Sequence, residues 1–423
     1  MPSPLPPLAI RGGPPAITIA APHYTWPVIT ESTRQAILDQ VQRDVSIYDR
    51  SGIFATFEDR FAKYHGRKRA LVCNSGTSAL FGAFEGLGLG PGDEVIVPAY
   101  TFFATVSPMM YLGAVPIFCD CDEDGNLDPQ GLKHLLTSQT KAVVVTHMWG
   151  IPCEMPQIVT FCQQTGLRLV EDCSHAHGAL IDDQHVGTFG DAAVWSFQGQ
   201  KIVTGGEGGI LLCDDDEIYY RALLQGQYNM RCRQEIPRDH PLARFALTGF
   251  GLKLRAHPLA IAMANEQFTH LDEWIERKNE FAALLTEALE PFPFIRPPHH
   301  PRRRPSWYAY IFHYRPTGNM PAIDDFFEGL RAEGMEQIDR PSSTRPIMNL
   351  PLFTNPEGAL PRLYGNKETN VPRDMRQCPN SERFFHSAIK LPVWAHESDR
   401  PVVLQYCEGL KKVCSHILDH TFC

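Results

Sequence analysis

No run of about 18 apolar residues occurs anywhere in the chain, so no segment reads as a membrane-spanning helix. The opening MPSPLPPLAIRGGPP has no charged stretch followed by an apolar one, which is not the pattern of a secretory leader. The twelve cysteines include no CxxC pair, and a chain of this size needs no stapling, so they read as reduced thiols. These absences lead to the expectation of a soluble, cytoplasmic protein. Self-similarity at a period of about 20 to 50 residues is also missing, which excludes solenoids and propellers. Neither GxxxxGK[ST] nor GxGxxG occurs, which counts against a P-loop nucleotide hydrolase and a nicotinamide-dependent oxidoreductase. Positive charge is scarce as well. With 39 Lys and Arg against 48 Asp and Glu, the formal net charge is -9, where a nucleic-acid binder would carry a basic face. The basic cluster HHPRRRPSW at 299–307 is interrupted by prolines and reads as a solvated loop.

What is present is ordinary globular usage, 43% apolar and 21% charged over 423 residues, a length that suggests two domains. Seven short apolar runs read as strands: ALVC (70–73), EVIVP (94–98), VPIFCD (115–120), KAVVVTH (141–147), LRLVED (167–172), AAVWSF (192–197) and GILLC (209–213). Helix candidates lie between several of them, at 77–87, 128–137 and 154–164. Near-continuous Val/Ile/Leu strands alternating with helices imply a mostly parallel sheet covered on both faces. Function then belongs beyond the carboxyl ends of its strands. Further helical patterns follow at 214–228, 257–289 and 323–333, with a strand in SWYAYIFHY (306–314). We expect a proline-rich extended arm over 1–27, a large α/β domain over 28–289 and a smaller C-terminal α/β domain over 290–423. The Pro-, Asn- and Gly-rich segment 341–380 reads as an irregular lobe contacting the site or another subunit, and it and 228–250 are expected to carry specificity.

Four stretches carry chemistry. In CNSGTSAL (73–80), Ser75, Gly76 and Thr77 lie in a glycine turn between a strand and a helix, where amides and dipole favour an anion such as phosphate. A plain helix cap is the competing reading. Asp172 sits where the strand LRLVED runs out, and a carboxylate at such an apolar rim calls for a cation or donors. His175 and His177 nearby form a lone His-x-His, too little for a metal site. YTFFAT (100–105) brings aromatics to the same rim, where one ring can stack on a planar ligand. In SFQGQKIVTGGEGG (196–209), Lys201 lies on a glycine-rich loop at the top of the sheet, where a lysine can condense with a carbonyl, although an exposed lysine is the commoner outcome. Phosphate, a cationic ring nitrogen, a flat ring and an aldehyde are four features of one molecule, pyridoxal 5'-phosphate.

The order NSGTSAL, VIVPAYTFFAT, EDCSHAHGA, SFQGQKIVTGGEGG resembles the sugar aminotransferases of the DegT/DnrJ/StrS family, within the fold-type I pyridoxal-phosphate enzymes. The resemblance spans about 26–413. LAIRGGPP and SWYAYIFHY are similar to the branch that handles ketocyclitols. It implies that Lys201 holds the Schiff-base position, that Asp172 faces the pyridine nitrogen and that Gly76, Thr77 and Ser196 contact phosphate. Phe102 would be the stacking aromatic, His175 a neighbouring ring contact, and Glu207 a residue near substrate. The family is dimeric, each site completed by the partner's GxNxR-like segment, which here reads GLKLR (251–255) with Lys253 in place of Asn. Tyr308 matches a substrate-facing residue supplied from the second subunit. The implied activity is ping-pong transfer of an amino group from L-glutamate or L-glutamine to a keto sugar or ketocyclitol. Dehydratases of the same family carry histidine where Lys201 stands, which counts against that activity, and a non-catalytic cofactor-binding protein is the remaining alternative.

Overall fold

Each of the seven apolar runs forms a strand of one sheet in the computed structural model, which describes residues 5–298, 302–365, 377–419 and 422. They are β1 (Arg69–Cys73), β2 (Glu94–Pro98), β3 (Val115–Cys119), β4 (Thr140–Thr146), β5 (Arg168–Asp172), β6 (Ala192–Ser196) and β7 (Gly209–Cys213). The order across the sheet is β1-β7-β6-β5-β4-β2-β3. All neighbours are parallel except around β7, which runs antiparallel to both β1 and β6. Val143, Val144 and Val145 of β4 are fully buried, as expected for strands covered by helices on both faces.

Helices α1 (Glu31–Arg43), α2 (Gly52–His65), α3 (Gly76–Gly86), α4 (Met155–Thr165) and α5 (Asp216–Gly226) belong to this part of the chain. Buried Glu58 of α2 accepts from the Val72 N–H of β1 at 2.9 Å and from both terminal nitrogens of Arg231, at 2.9 and 2.8 Å. The edge strand that leads into the site is thereby tied to two helices. The helix expected at 128–137 is shorter. Asp128 caps a 3-10 turn at Pro129–Gly131, a single α-turn follows at Leu132–Leu135, and Leu136 is already extended. Proline and glycine so close together do not sustain a longer helix. The pattern at 257–289 is two helices, α6 (Pro258–Gln267) and α7 (Leu271–Leu289), joined by a 3-10 turn at Phe268–His270.

Beyond α7 a three-stranded sheet is built from β8 (Ile295–Arg296), β9 (Tyr310–Tyr314) and β10 (Ala388–Leu391), with α8 (Ile323–Ala332), α9 (Pro379–Ser387) and α10 (Arg400–Leu418). Its core includes Phe281, Leu285 and Leu289 of α7, and also Leu8 and Ile17 from the proline-rich arm. The arm is extended for most of its length but docked. The Ala9 and Ala16 N–H groups donate to the Glu333 carboxylate at 2.8 and 2.9 Å, and the Trp394 indole donates to the His23 carbonyl at 2.7 Å. Eleven cysteines are free and buried, and Cys423 lies outside the described residues. So do His299, His300 and Pro301 of the basic cluster and residues 366–376 of the irregular lobe. Among the described residues no helix is long and apolar enough to cross a membrane.

Candidate active site

The carboxyl ends of β1, β5 and β6 and the loop entering β7 meet at a cavity of about 410 Å³. Ser75, Gly76 and Thr77 line it from the turn into α3, Asp172 and His175 from the end of β5, Ser196 from the end of β6 and Lys201 and Glu207 from the following loop. Phe102 and Tyr308 complete the set of singled-out residues that line it. Lys253 does not. It lies exposed on the 251–255 segment and is not among the residues that line its own chain's cavity.

The turn between β1 and α3 serves two purposes. Ser75 caps α3, its hydroxyl accepting the Ser78 N–H at 3.0 Å, while the first-turn amides at Gly76 and Thr77 have no acceptor within the helix. Capping uses the side chain, and the amides stay available to an anion at the positive end of the helix. Only glycine fits at position 76, because a Cβ there would stand 2.8 Å from the Cβ of Ser196.

Asp172 is buried and held from two sides. Its Oδ2 accepts from the Thr105 hydroxyl at 2.7 Å and its Oδ1 from the Ser174 N–H at 3.1 Å. Thr105 in turn touches the hydroxyls of Thr101 at 3.0 Å and Thr146 at 3.1 Å, so three threonines form a polar floor beneath the carboxylate. The sequence reading missed all three. Their only local signal is that Thr101 and Thr105 fall within YTFFAT, beside the aromatics that were noticed.

Burial pushes the Lys201 amine down to about 8, and the Asp172 carboxylate pulls the other way. The amine rests 4.7 Å from the centre of the Tyr308 ring, a cation-π distance. Tyr308 stacks on His175 at 4.0 Å and 5°, with Trp149 a further 6.2 Å from Tyr308. Burial first, then the Lys201 charge, pushes His175 well below its ordinary range, so its ring is neutral, and Nδ1 has no partner among the described residues.

Tyr308 was expected to serve a second subunit, and the structure corrects this: it lines the cavity of its own chain. Gly150 explains why. Its carbonyl accepts from Ser306 N at 3.0 Å, and Trp149 O accepts from Tyr308 N at 2.9 Å. A Cβ on Gly150 would approach Trp307 N to 2.7 Å, so the absence of one lets the 306–309 segment press onto the loop after β4. Ser342, Ser343 and Thr344 of the irregular lobe also line the cavity, as does Lys390, whereas 228–250 contributes nothing to it in its own chain.

The three potential metal-ligating side chains that converge among the described residues are His147, Glu171 and Cys173, not His175 and His177. Glu171 is already engaged. Its carboxylate accepts from the amides of Gly187, Phe189 and Gly190 at 2.7 to 2.8 Å and faces His147 Nε2 at 3.2 Å. The cluster is a clasp that holds the loop before β6.

Residues 29–404 match the model of the DegT/DnrJ/EryC1/StrS aminotransferase family. The chain is 30% identical over 351 residues to the spore coat polysaccharide biosynthesis protein SpsC of Bacillus subtilis (strain 168), covering 82% of this chain and 86% of that protein. It is also 30% identical over 405 residues to a Micromonospora echinospora protein assigned provisionally as an L-glutamine:3-amino-2,3-dideoxy-scyllo-inosose aminotransferase, 92% of each chain. The aminotransferase structure from Psychrobacter cryohalolentis superposes with a TM-score of 0.81 at 24% identity, over 94% of this chain and all of that one, a likeness of fold. With the family's sequence pattern running through the seven strands and the loop that carries Lys201, the chain belongs to the DegT/DnrJ/EryC1/StrS aminotransferase family.

Proposed function

We propose that this aminotransferase takes the amino group of L-glutamate or L-glutamine and delivers it, in a ping-pong sequence, to a keto sugar or ketocyclitol during amino-sugar or aminocyclitol biosynthesis in the cytoplasm. The single observation that carries this reading is the convergence of the Lys201 amine, the doubly held Asp172 carboxylate and the N-terminus of α3 on one cavity. The relatives that act in polysaccharide and inosose chemistry support the substrate class.

The family implies pyridoxal phosphate, and the residues present fit it. An amine of lowered proton affinity, a fixed carboxylate, amides at a helix N-terminus and a buried imidazole nitrogen without a partner are a donor set suited to an aldehyde on an anionic, flat, basic ring. When bound, pyridoxal phosphate supplies the electrophilic carbon that accepts the amine and the ring that takes up electron density. The Gly76 and Thr77 amides and the Ser196 hydroxyl would hold its phosphate, Phe102 would lie against its ring, His175 would contact it, and Asp172 would keep the ring nitrogen protonated. Lys201, whose proton affinity burial lowers, would be the residue that holds the cofactor's aldehyde carbon and would carry the proton from the donor's α carbon. Tyr308 gives that amine a face to rest on in its protonated state. Glu207 stands at the rim to meet substrate. Lys253 we assign to the cavity of a second protomer, a role supported by the exposed Leu247, Phe250 and Leu252 that accompany it.

The test is Lys201→Ala. Borohydride reduction of the cofactor-loaded protein should fix the label on the peptide carrying Lys201. In the absence of acceptor, wild-type protein should release one keto acid per site from glutamate or glutamine, and the variant none. Keto acid release that persists in the variant overturns the assignment.

A further inference from the structure

One fully buried amine, whose pKa burial lowers to about 7, takes no part in the chemistry above. Lys278 of α7 is 2% exposed, and taking an ammonium out of water is costly unless donors and charges are satisfied. Its amine donates to Val393 O at 2.6 Å and to Trp307 O at 3.3 Å, and lies 5.2 Å from the centre of the Trp26 ring. The next residue on the helix, Asn279, accepts the Trp307 indole N–H at 3.0 Å. Two consecutive side chains of α7 therefore grip Trp307 by its backbone and its ring, and the residue after Trp307 is Tyr308, whose face carries the Lys201 amine.

Trp26 closes the circuit from the other side. It is the last aromatic of the proline-rich arm, and its indole N–H donates to the backbone carbonyl of Lys201 at 2.9 Å. Its ring is fixed edge-on against Trp274 of α7 at 5.0 Å and stacked with Tyr24 at 6.5 Å. Contacts thus run from Lys278 to Trp307, from Tyr308 to the Lys201 side chain, and from the Lys201 backbone through Trp26 back to Lys278.

We propose that Trp26 and Lys278 are positioning residues for the lysine at the centre of the site: the arm holds Lys201 by its carbonyl while the buried amine holds Tyr308 in register with the Lys201 side chain. The inference rests on the role assigned to Lys201 above. A docked arm that served stability alone would need only its apolar anchors, Leu8 and Ile17, and its links to Glu333; the indole bond to Lys201 adds geometry at the reacting residue. The titratable groups facing the Lys201 amine are Asp172, His175, His177 and Tyr308, and none of them is altered by changes at positions 26 and 278.

The experiment uses the full-length chain freed of cofactor. Lys201 is labelled with a trace amine-directed acylating reagent across pH 6 to 11 and its peptide quantified by mass spectrometry. Three variants are compared with wild type: Trp26→Phe, which keeps the ring and deletes the N–H; Lys278→Met, which keeps the length and deletes the donor; and Lys412→Met, which deletes the amine that donates, far from the site, to the arm's Pro14 carbonyl and to Glu333, both at 2.8 Å. The expected result is an upward move of the Lys201 labelling midpoint by one pH unit or more in the first two variants, because a displaced amine loses the burial that lowers it and this outweighs the lost Tyr308 face, and no move in the third, whatever its loss of thermal stability. In the loaded enzyme the same two variants should lose kcat about tenfold with little change in KM for donor. Wild-type midpoints in both Trp26→Phe and Lys278→Met overturn the proposal, and so does an equal move in Lys412→Met, which would mark a general loosening. Because labelling needs neither cofactor nor turnover, it stands or falls apart from the Lys201→Ala test.

Discussion

Replacing Thr105 with Val tests the threonine floor beneath Asp172. The two side chains have the same shape, so the change deletes a hydroxyl and leaves no cavity. The bond lost is 2.7 Å long, donor to carboxylate, between two residues that are 1% and 5% exposed. That length belongs to charge-assisted hydrogen bonds, and burial keeps water from replacing the donor. Bonds to charged groups contribute about 1.5 to 3 kcal/mol. Asp172 retains the Ser174 N–H at 3.1 Å, so a value near the middle, about 2 kcal/mol, is expected. If the carboxylate must keep its orientation through the reaction, the same energy appears in turnover as a fall of about 30-fold in kcat. Denaturant midpoints measure the first effect and single-turnover keto acid release the second, with Thr105→Ser as the variant that restores the hydroxyl. Wild-type turnover and stability in Thr105→Val would refute the reasoning, as would a Thr105→Ser variant equally damaged.

Three further outcomes follow from the same geometry. Burial lowers Lys201 from an ordinary 10.5 to about 8, so between those pH values the unfolded chain binds the extra proton and stability rises with pH; Lys201→Met should flatten that rise in pH-dependent denaturation, and parallel curves would contradict the burial argument. Gly76→Ala forces a shift where Cβ would meet Ser196 at 2.8 Å, and it should weaken pyridoxal phosphate binding at least tenfold in equilibrium dialysis while leaving affinity for dephosphorylated pyridoxal within about twofold. Gly150→Ala places a Cβ 2.8 Å from Tyr308 N at a φ of +86°, and should displace Tyr308, seen as a changed Lys201 labelling profile with the fold retained by circular dichroism.

The sheet was legible because its strands are buried on both faces: KAVVVTH and GILLC have no polar alternation, and that pattern has few other homes. The site residues on β5, on the α3 turn and on the Lys201 loop were legible for a related reason, since a charge or a glycine cluster at the end of an apolar run stands out locally. What escaped was set by distance along the chain. Thr105, Thr146 and Asp172 meet only after β4 and β5 pair, and a threonine in a strand has no feature that announces a partner. Lys278 reads as one more polar position of an amphipathic helix until the arm and the 393 and 307 carbonyls close around it. The proline content of 1–27 made extension legible, but the surface that receives it is formed by residues as far along the chain as Lys201, Trp274 and Tyr406. Tyr308 was noticed and its origin misjudged, because the glycine that admits it lies at position 150.

The antiparallel strand β7 lies between the edge strand β1 and the rest of the sheet. During synthesis β1 therefore has no neighbour in the sheet until the chain has grown through Cys213, and the α3 turn that it presents waits with it. Lys201 sits in the stretch that must swing into place just before that insertion, so assembly of the pocket is a late event. Chains truncated before β7 would expose an unpaired apolar strand, which makes premature termination there a route to aggregation rather than to a partly working enzyme.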